Sequence, residues 1–443
     1  MKKAFIIWIL AACCWSLPAQ EFEKFFTDST LRLDYVFCGD ATHQAIYLQG
    51  MHKTGKWAGR RNNLEEPLLK GNGQIRVKEP STGKTLYVNS FSTLFQEWQS
   101  YPEAKQVQKA FENCFQVPFP KESVVVEVTL SDVYGRETAR MSHPVNPRDI
   151  LIRRTEPGKA RCETLQEGES LPSAIDIVLL AEGYTAAEEE KFFADAARAQ
   201  AALMAHEPFT GHASAFSIRA VFLPSKDSGP SVPRLGAWHN TLVDSQFDTF
   251  YIDRYLTSSA QVKIYDALGT VPFEHIIVLV NTPIYGGGGI FNSLTIMGSD
   301  HSTFPAVLVH EFGHAFGGLG DEYFYDDMSE SMYPAGVEPW EPNLTTLTDF
   351  ASKWQDLVPA GTPVPTPVDA IETQADVRRI WKTLAPEQKA RLNHAVGIYE
   401  GGGYQSKGVY RPVQECRMKI NECEDFCPVC TRALERMITF YTR

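Results

Sequence analysis

The sequence lacks several features that mark common classes of protein. Lysine and arginine are outnumbered, 42 against 54 aspartates and glutamates, which gives a formal net charge of −12. An acidic balance argues against nucleic acid or anionic lipid as a partner. After residue 20, no apolar run is long enough to form a transmembrane segment. The glycine run at 286–289 is not followed by the lysine of a phosphate-binding loop, which argues against nucleotide binding.

The amino terminus is typical of an export signal. Lys2 and Lys3 precede an apolar stretch, residues 4–15, that is too short to span a bilayer. Cleavage after Ala19 would remove residues 1–19 and release a secreted or periplasmic protein. The alternative is a lipoprotein-type signal over residues 10–13, which would leave a lipid anchor on Cys13 at the cell surface.

Cysteine is sparse, with nine residues in the chain. Seven remain once Cys13 and Cys14 leave with the signal, and an odd number leaves at least one thiol unpaired or bridged elsewhere. Cys38 and Cys114 are one candidate pair. Four others lie near the carboxyl terminus: Cys416, Cys423, Cys427 and Cys430. These thiols suit a structural zinc site, but their spacing lacks the two separated pairs of a zinc ribbon. Because export favours disulfides, disulfide bonds are the prediction.

The chain divides into two parts with different hydrophobic patterns. Residues 20–155 contain short alternating runs, such as 31–37 and 124–130, separated by turn residues. This pattern predicts an all-β N-terminal domain, a β-sandwich, with a helix inserted over 95–111. A polar linker is predicted over 154–172. From 170 to 443, strand-like runs at 175–180, 216–223 and 275–280 alternate with helical stretches, which predicts an α/β domain.

A His-Glu-x-x-His motif occupies residues 310–314. On a helix, His310 and His314 leave the same face about one turn apart, so one cation can bind both. Glu311 lies beside them and can take a proton from water activated by the metal. Glycines at 317, 318 and 320 allow the chain to reverse after the helix. Asp321 and Glu322 follow the reversal and are the candidates for the third ligand of the predicted ion, Zn²⁺.

The motif resembles that of the metzincins, with one extra residue in the helix, and this resemblance implies Asp321 as the third ligand, with Glu322 as the alternative. Taken with residues 397–412, the Cys416-x-Met418 pair and residues 426–430, it resembles the IgA peptidase family of bacterial zinc metallopeptidases. The resemblance implies a metzincin-like α/β zinc peptidase domain and an exported endopeptidase whose substrate is a protein or peptide, including host glycoproteins. It also implies that Met418 lies beneath the metal and that 291–297 is an edge strand that pairs with substrate. Tyr404 and Tyr410 are candidate oxyanion donors.

Two other functions fit the same residues. One is a surface module that binds a glycan or protein and uses zinc only for structure. Such a site would have four protein ligands, and it would not need a glutamate beside the first histidine. The other is a zinc amidase that acts on a non-protein amide, since the metal and the base are the same for any amide and the shape of the cleft decides the substrate.

Overall fold

The computed structural model describes residues 18–169, 173–325, 332–368 and 374–443. The greater part of the predicted signal segment, including Cys13, therefore lies outside the described residues. Among the helices that are described, none is long and apolar enough to cross a membrane.

The amino-terminal half is built from two four-stranded sheets. Its elements are α1 (Pro18–Phe25), β1 (Phe26–Gly39), β2 (Gln44–Lys53), β3 (Gly73–Lys78), β4 (Thr85–Phe91), α2 (Leu94–Trp98), β5 (Lys109–Pro120), β6 (Val124–Ser131), β7 (Glu137–Val145) and β8 (Arg153–Arg154). The strand orders are β5-β1-β2-β8 and β4-β3-β6-β7, antiparallel except for the short β2–β8 pair. Alternate side chains of both sheets, including Phe37, Val77 and Val128, fill one shared core. The two sheets thus face each other as a sandwich.

The inserted helix in this half is shorter than predicted. The Thr93 side chain accepts a hydrogen bond from the backbone N–H of Gln96 at 3.1 Å and so caps α2, which ends at Trp98. Phe95 and Trp98 bury their rings in the sandwich core. One further 3₁₀ turn follows, and β5 begins at Lys109, so the rest of 95–111 is not one continuous helix.

The carboxyl-terminal half is organised around one mixed sheet. Its elements are β9 (Arg161–Gln166), β10 (Ile175–Glu182), α3 (Glu189–Met204), β11 (Phe216–Phe222), α4 (Gln261–Leu268), β12 (His275–Val280), β13 (Gly287–Ile290), β14 (Leu294–Gly298), α5 (Phe304–Gly317), β15 (Phe324–Tyr325), α6 (Gln374–Ile380), α7 (Pro386–His394), β16 (Tyr399–Gly402), β17 (Tyr404–Arg411) and α8 (Pro428–Thr442). The strand order is β13-β14-β12-β10-β11-β9. The four inner strands are parallel and the two edge strands antiparallel, so this half has the predicted α/β character.

Both faces of this sheet are covered. Ile177 and Leu179 of β10 point into a core shared with α3, α5 and α8, whereas Val178 and Leu180 point into a second core shared with α4. The helix that carries the His-Glu-x-x-His motif, α5, is therefore packed between the sheet and α8.

Two predictions about the edges of this sheet are wrong. Residues 154–172 are not simply a linker, because β9 lies within them and pairs with β11. The strand predicted at 291–297 is not an edge strand either, since β14 lies between β13 and β12. The edge is β13, which consists largely of the glycine run, and a bridge between Tyr255 and Gly287 covers one end of it.

The predicted disulfides are also wrong, because all seven cysteines among the described residues are free. In the β1–β5 ladder, Cys38 lies opposite Ala110 while Cys114 lies opposite Asp34. The two thiols are thus four residues apart along the strands, about 13 Å at the usual rise per residue. The Sγ atoms of Cys416 and Cys430 are 3.9 Å apart, well beyond the ~2.05 Å of a disulfide bond.

Candidate metal centre

Helix α5 sets the geometry of the motif. It begins at Phe304 with a proline in its first turn and ends where Gly318 adopts the left-handed conformation at φ 61°. Leu308, Phe312 and Phe316 bury one face of the helix in the sheet core. The neighbouring face, which carries His310 and His314, is left free to meet the returning chain.

Three predicted ligands converge on one point. The Nε2 atoms of His310 and His314 are 3.1 Å apart, and the Asp321 Oδ1 atom lies 3.0 Å from the first and 3.2 Å from the second. Ligand atoms that share a tetrahedral zinc at ~2.0 Å lie ~3.3 Å from one another. The triangle is therefore close to the size that zinc requires.

The hydrogen bonds on the far side of each imidazole fix its tautomer. His310 Nδ1 lies 3.0 Å from the carbonyl oxygen of Arg417, and His314 Nδ1 contacts the carbonyl oxygen of Leu319. A carbonyl can only accept, so each Nδ1 carries the proton and each Nε2 presents a lone pair. In the neutral imidazoles, two lone pairs and a carboxylate oxygen therefore face one another. A cation satisfies all three atoms, and these residues therefore fit a bound metal.

After the chain reversal, the side chains of Asp321 and Glu322 point in opposite directions. Asp321 faces the two histidines, whereas Glu322 faces Cys430, with 3.1 Å between its Oε1 and the thiol sulfur. The Gly403 N–H donates to the Asp321 carbonyl oxygen at 2.7 Å, and β15, which follows directly, pairs with β17. The structure thus brings Asp321, and not Glu322, to the histidines.

Charge within the triangle shifts the pKa values of Asp321 and His314. Burial alone would raise the pKa of Asp321, but the two imidazoles override it and hold the pKa well below its usual range. Burial lowers the pKa of His314, but Asp321 outweighs it and brings the pKa to about 9. The centre therefore strongly favours positive charge opposite Asp321, which a metal ion supplies as well as a proton does.

Glu311 stands beside the triangle on α5. Burial raises its pKa, and the neighbouring histidines only partly oppose that effect. A raised pKa brings a carboxylate closer to the range in which it exchanges protons near neutral pH. Strand β13 passes directly over this residue, because a Cβ on Gly287 would lie 3.3 Å from Glu311 Cγ.

Met418 lies on the underside of α5. A Cβ built on Gly313, between the two histidines in sequence, would come within 2.8 Å of the Met418 sulfur. The preceding residue, Arg417, provides the carbonyl that fixes His310. The segment that contains Met418 is therefore packed against the helix and orients one of the ligands.

Sequence reasoning missed Glu97, although it lies near the metal centre. It is on α2 in the amino-terminal half, and the Tyr255 hydroxyl donates to its carboxylate. Burial raises the pKa of Glu97 to about 7, and the negative charges of Asp321 and Glu311 add to the shift. The local sequence did not indicate that Glu97 lies near the metal centre, because a glutamate between Phe95 and Trp98 is typical of a helix that packs against a core.

Arg254 was missed as well, and it lies in a loop without a motif. Its positive charge lowers the pKa of Glu311, and its guanidinium donates to the Tyr325 hydroxyl at 3.2 Å. Tyr323 is near Arg254, and its ring centroid lies 5.3 Å from that of Tyr404. Arg254, Tyr323 and Glu97 thus extend the site beyond the motif.

The structure separates the two tyrosines predicted as oxyanion donors. The Tyr404 hydroxyl donates to Asp321 Oδ2, which leaves Oδ1 to the histidines. Tyr404 holds this position as the first residue of β17, with a φ of 67°, a conformation that is uncommon for a residue other than glycine. Tyr410 instead pairs through its backbone with Thr345. Tyr404 is therefore a positioning residue for the third ligand.

We expect Tyr404→Phe to weaken metal binding by about 10-fold, the lower end of the loss seen when a hydrogen bond to a metal ligand is removed. Phenylalanine keeps the ring packed against Tyr323 but leaves Asp321 Oδ2 without its donor. Competition titration against a metal-binding dye measures the effect. Tyr410→Phe is the matched control, and equal affinities for the two variants would contradict this role of Tyr404.

Family comparisons cover most of the chain. The family model described as IgA Peptidase M64 matches residues 164–438, and the model described as Peptidase M64 N-terminus matches residues 21–142. A search of curated proteins found no match.

Proposed function

Since the chain belongs to the M64 family of IgA peptidases, we propose that it is an exported zinc-dependent endopeptidase with a metzincin-like catalytic domain. The family supports a peptidase with a protein or peptide substrate. The observation that carries the choice of metal chemistry is the triangle of His310, His314 and Asp321, whose ligand atoms converge on one point beside Glu311.

In this proposal His310, His314 and Asp321 hold the ion. When bound, zinc would supply Lewis-acid chemistry, which polarises the scissile carbonyl and lets water lose a proton near neutral pH. Glu311 accepts that proton and then transfers it to the departing amine. Its raised pKa suits both steps, because the same carboxyl group must gain and lose a proton in each cycle.

Arg254 and Tyr323 take the place of Tyr404 as our candidates for binding the substrate carbonyl. Tyr404 already uses its hydroxyl on Asp321, whereas the positive charge of Arg254 acts on Glu311. Glu97 of α2 also lies near the centre, and it accepts a hydrogen bond from Tyr255, which follows Arg254 in the loop next to β13.

Export is the second part of the proposal, and it rests on residues 1–19 alone. Cleavage after Ala19 would release the protein, and processing at Cys13 would anchor it to a lipid. Host glycoproteins, including immunoglobulins, are the proposed substrates. The mass of the mature amino terminus from the native host distinguishes the released form from the anchored one.

Metal removal tests the proposed function. We expect a chelator to abolish cleavage of casein and immunoglobulin A, and added Zn²⁺ to restore it. His310→Ala should lose one equivalent of metal together with the activity. His43→Ala is the control, because His43 lies on an exposed turn of the amino-terminal half.

Cleavage that survives complete metal removal would contradict the proposal. A protein that keeps its metal but cuts nothing in a peptide library, with products read by mass spectrometry, would favour the binding module or the amidase instead. The same library maps the residues on either side of the scissile bond when cleavage does occur.

A further inference from the structure

A second group of metal-binding side chains lies outside the peptidase site. It consists of Glu322, Cys416, Cys427 and Cys430, whose ligand atoms all lie within 4.8 Å of one another. All four residues are buried, and each is fully inaccessible to solvent. We propose that these residues bind a second Zn²⁺ ion, a structural one, behind the peptidase centre.

The spacing of the sulfur atoms supports a shared ion. The Sγ atoms of Cys416 and Cys430 are 3.9 Å apart. Neighbouring sulfurs of a tetrahedral zinc with Zn–S bonds of ~2.3 Å lie ~3.8 Å apart. The thiols are therefore at the distance that a common zinc ligation gives.

Glu322 supplies an independent observation. Its Oε1 accepts from Asn343 Nδ2 at 2.9 Å and lies 3.1 Å from Cys430 Sγ. Its Oε2 is buried and has no hydrogen-bond partner among the described residues. A buried carboxylate oxygen without a partner is costly. A cation held by the three thiolates satisfies it as the fourth ligand.

Backbone N–H groups around the thiols favour their ionised form. The N–H of Cys427 points at Cys416 Sγ at 3.3 Å, and the N–H of Cys430 points at Cys427 Sγ at 3.5 Å. Cys427 is also the N-cap of α8, where the helix dipole favours negative charge. Zinc binding would release the thiol protons and leave thiolates in positions prepared for them.

The choice of zinc follows from the donor set. Three thiolates and one carboxylate suit a borderline ion in a closed tetrahedral site, and four protein ligands leave no position for water or substrate. Such a site stabilises the fold and takes no part in the reaction, so this inference is independent of the proposed peptidase function. The ion would link three parts of the chain: the reversal after α5, the segment before Met418 and the start of α8.

Metal analysis of the full-length protein tests the second site. We expect two zinc ions per chain in the wild type and one in Cys427→Ser/Cys430→Ser. His310→Ala/His314→Ala should also bind one, but it should keep the thiolate-to-metal absorption of the cobalt-substituted protein, which the cysteine variant should lose. Cys423→Ser is the matched control. Cys423 is a buried cysteine of the same segment outside the group, so its variant should retain both ions.

The wild type alone also decides the question if the cysteine variant does not fold. X-ray absorption at the zinc edge should show sulfur ligands in addition to nitrogen and oxygen. A single zinc per chain that Cys427→Ser/Cys430→Ser retains, a spectrum without sulfur, or a Cys416–Cys430 disulfide in peptide maps of the native protein would each overturn the second site. None of these results bears on whether the histidine centre cleaves peptides.

Discussion

Glu311→Gln should lower kcat for peptide cleavage by about 1,000-fold, the middle of the range that a positioned acid–base group contributes. Glutamine matches the size of glutamate but cannot accept the proton from water. The metal ligands are unchanged, so metal content should equal that of the wild type. Single-turnover cleavage of a fluorogenic peptide together with metal analysis measures both quantities.

The control for this variant is Glu190→Gln, an exposed change on α3 away from the centre, which should keep wild-type activity. Hydrolysis retained in Glu311→Gln would remove Glu311 from the mechanism. Loss of metal together with activity would instead assign it a role in holding the ion. Measuring metal content beside activity therefore distinguishes loss of a general base from loss of a metal ligand.

The second large effect is expected at Gly289, where the edge strand crosses the metal helix. A Cβ at this position would lie 2.2 Å from the backbone oxygen of Glu311 and 3.1 Å from His314 Cβ. Gly289→Ala therefore forces β13 and α5 apart, and we expect it to lower the free energy of unfolding by ~3 kcal/mol. A displacement of about 1 Å at Glu311 should also reduce kcat/KM by about 100-fold.

Chemical denaturation and peptide cleavage measure these two effects of Gly289→Ala. Gly158→Ala is the matched control, because its added Cβ would meet only the Ala160 nitrogen, at 3.9 Å. Unchanged stability in Gly289→Ala would mean that the strand and helix move apart easily. The glycine run would then not be explained by close packing.

The centre could be predicted from sequence where its residues are close in the chain. His310 and His314 share a helix, and Asp321 follows after one reversal at Gly318, so local geometry was enough to place them near one another. The choice between Asp321 and Glu322 needed the structure, because both residues leave the same short segment and only their three-dimensional contacts differ.

Contacts between distant parts of the chain could not be predicted in this way. Glu322 meets Cys430 over a separation of 108 residues, and the Tyr255 hydroxyl reaches Glu97 over 158. The cysteine spacing was compatible with either disulfides or a metal, and the distance between Cys416 Sγ and Cys430 Sγ, together with the position of Glu322, distinguishes them. The edge position that the resemblance implied for 291–297 was wrong as well, since the order of strands in a sheet depends on pairings between distant segments, here β13 with β14.

Glu97 faces the peptidase centre from the amino-terminal sandwich, which has a practical consequence for engineering. The amino-terminal half thus contributes a residue to the surroundings of a centre whose ligands all lie in the carboxyl-terminal half. Glu97 can be varied without changing those ligands, whereas Phe95 and Trp98 of the same helix are needed for the sandwich core. A library diversified at Glu97 is therefore a rational starting point for new specificities.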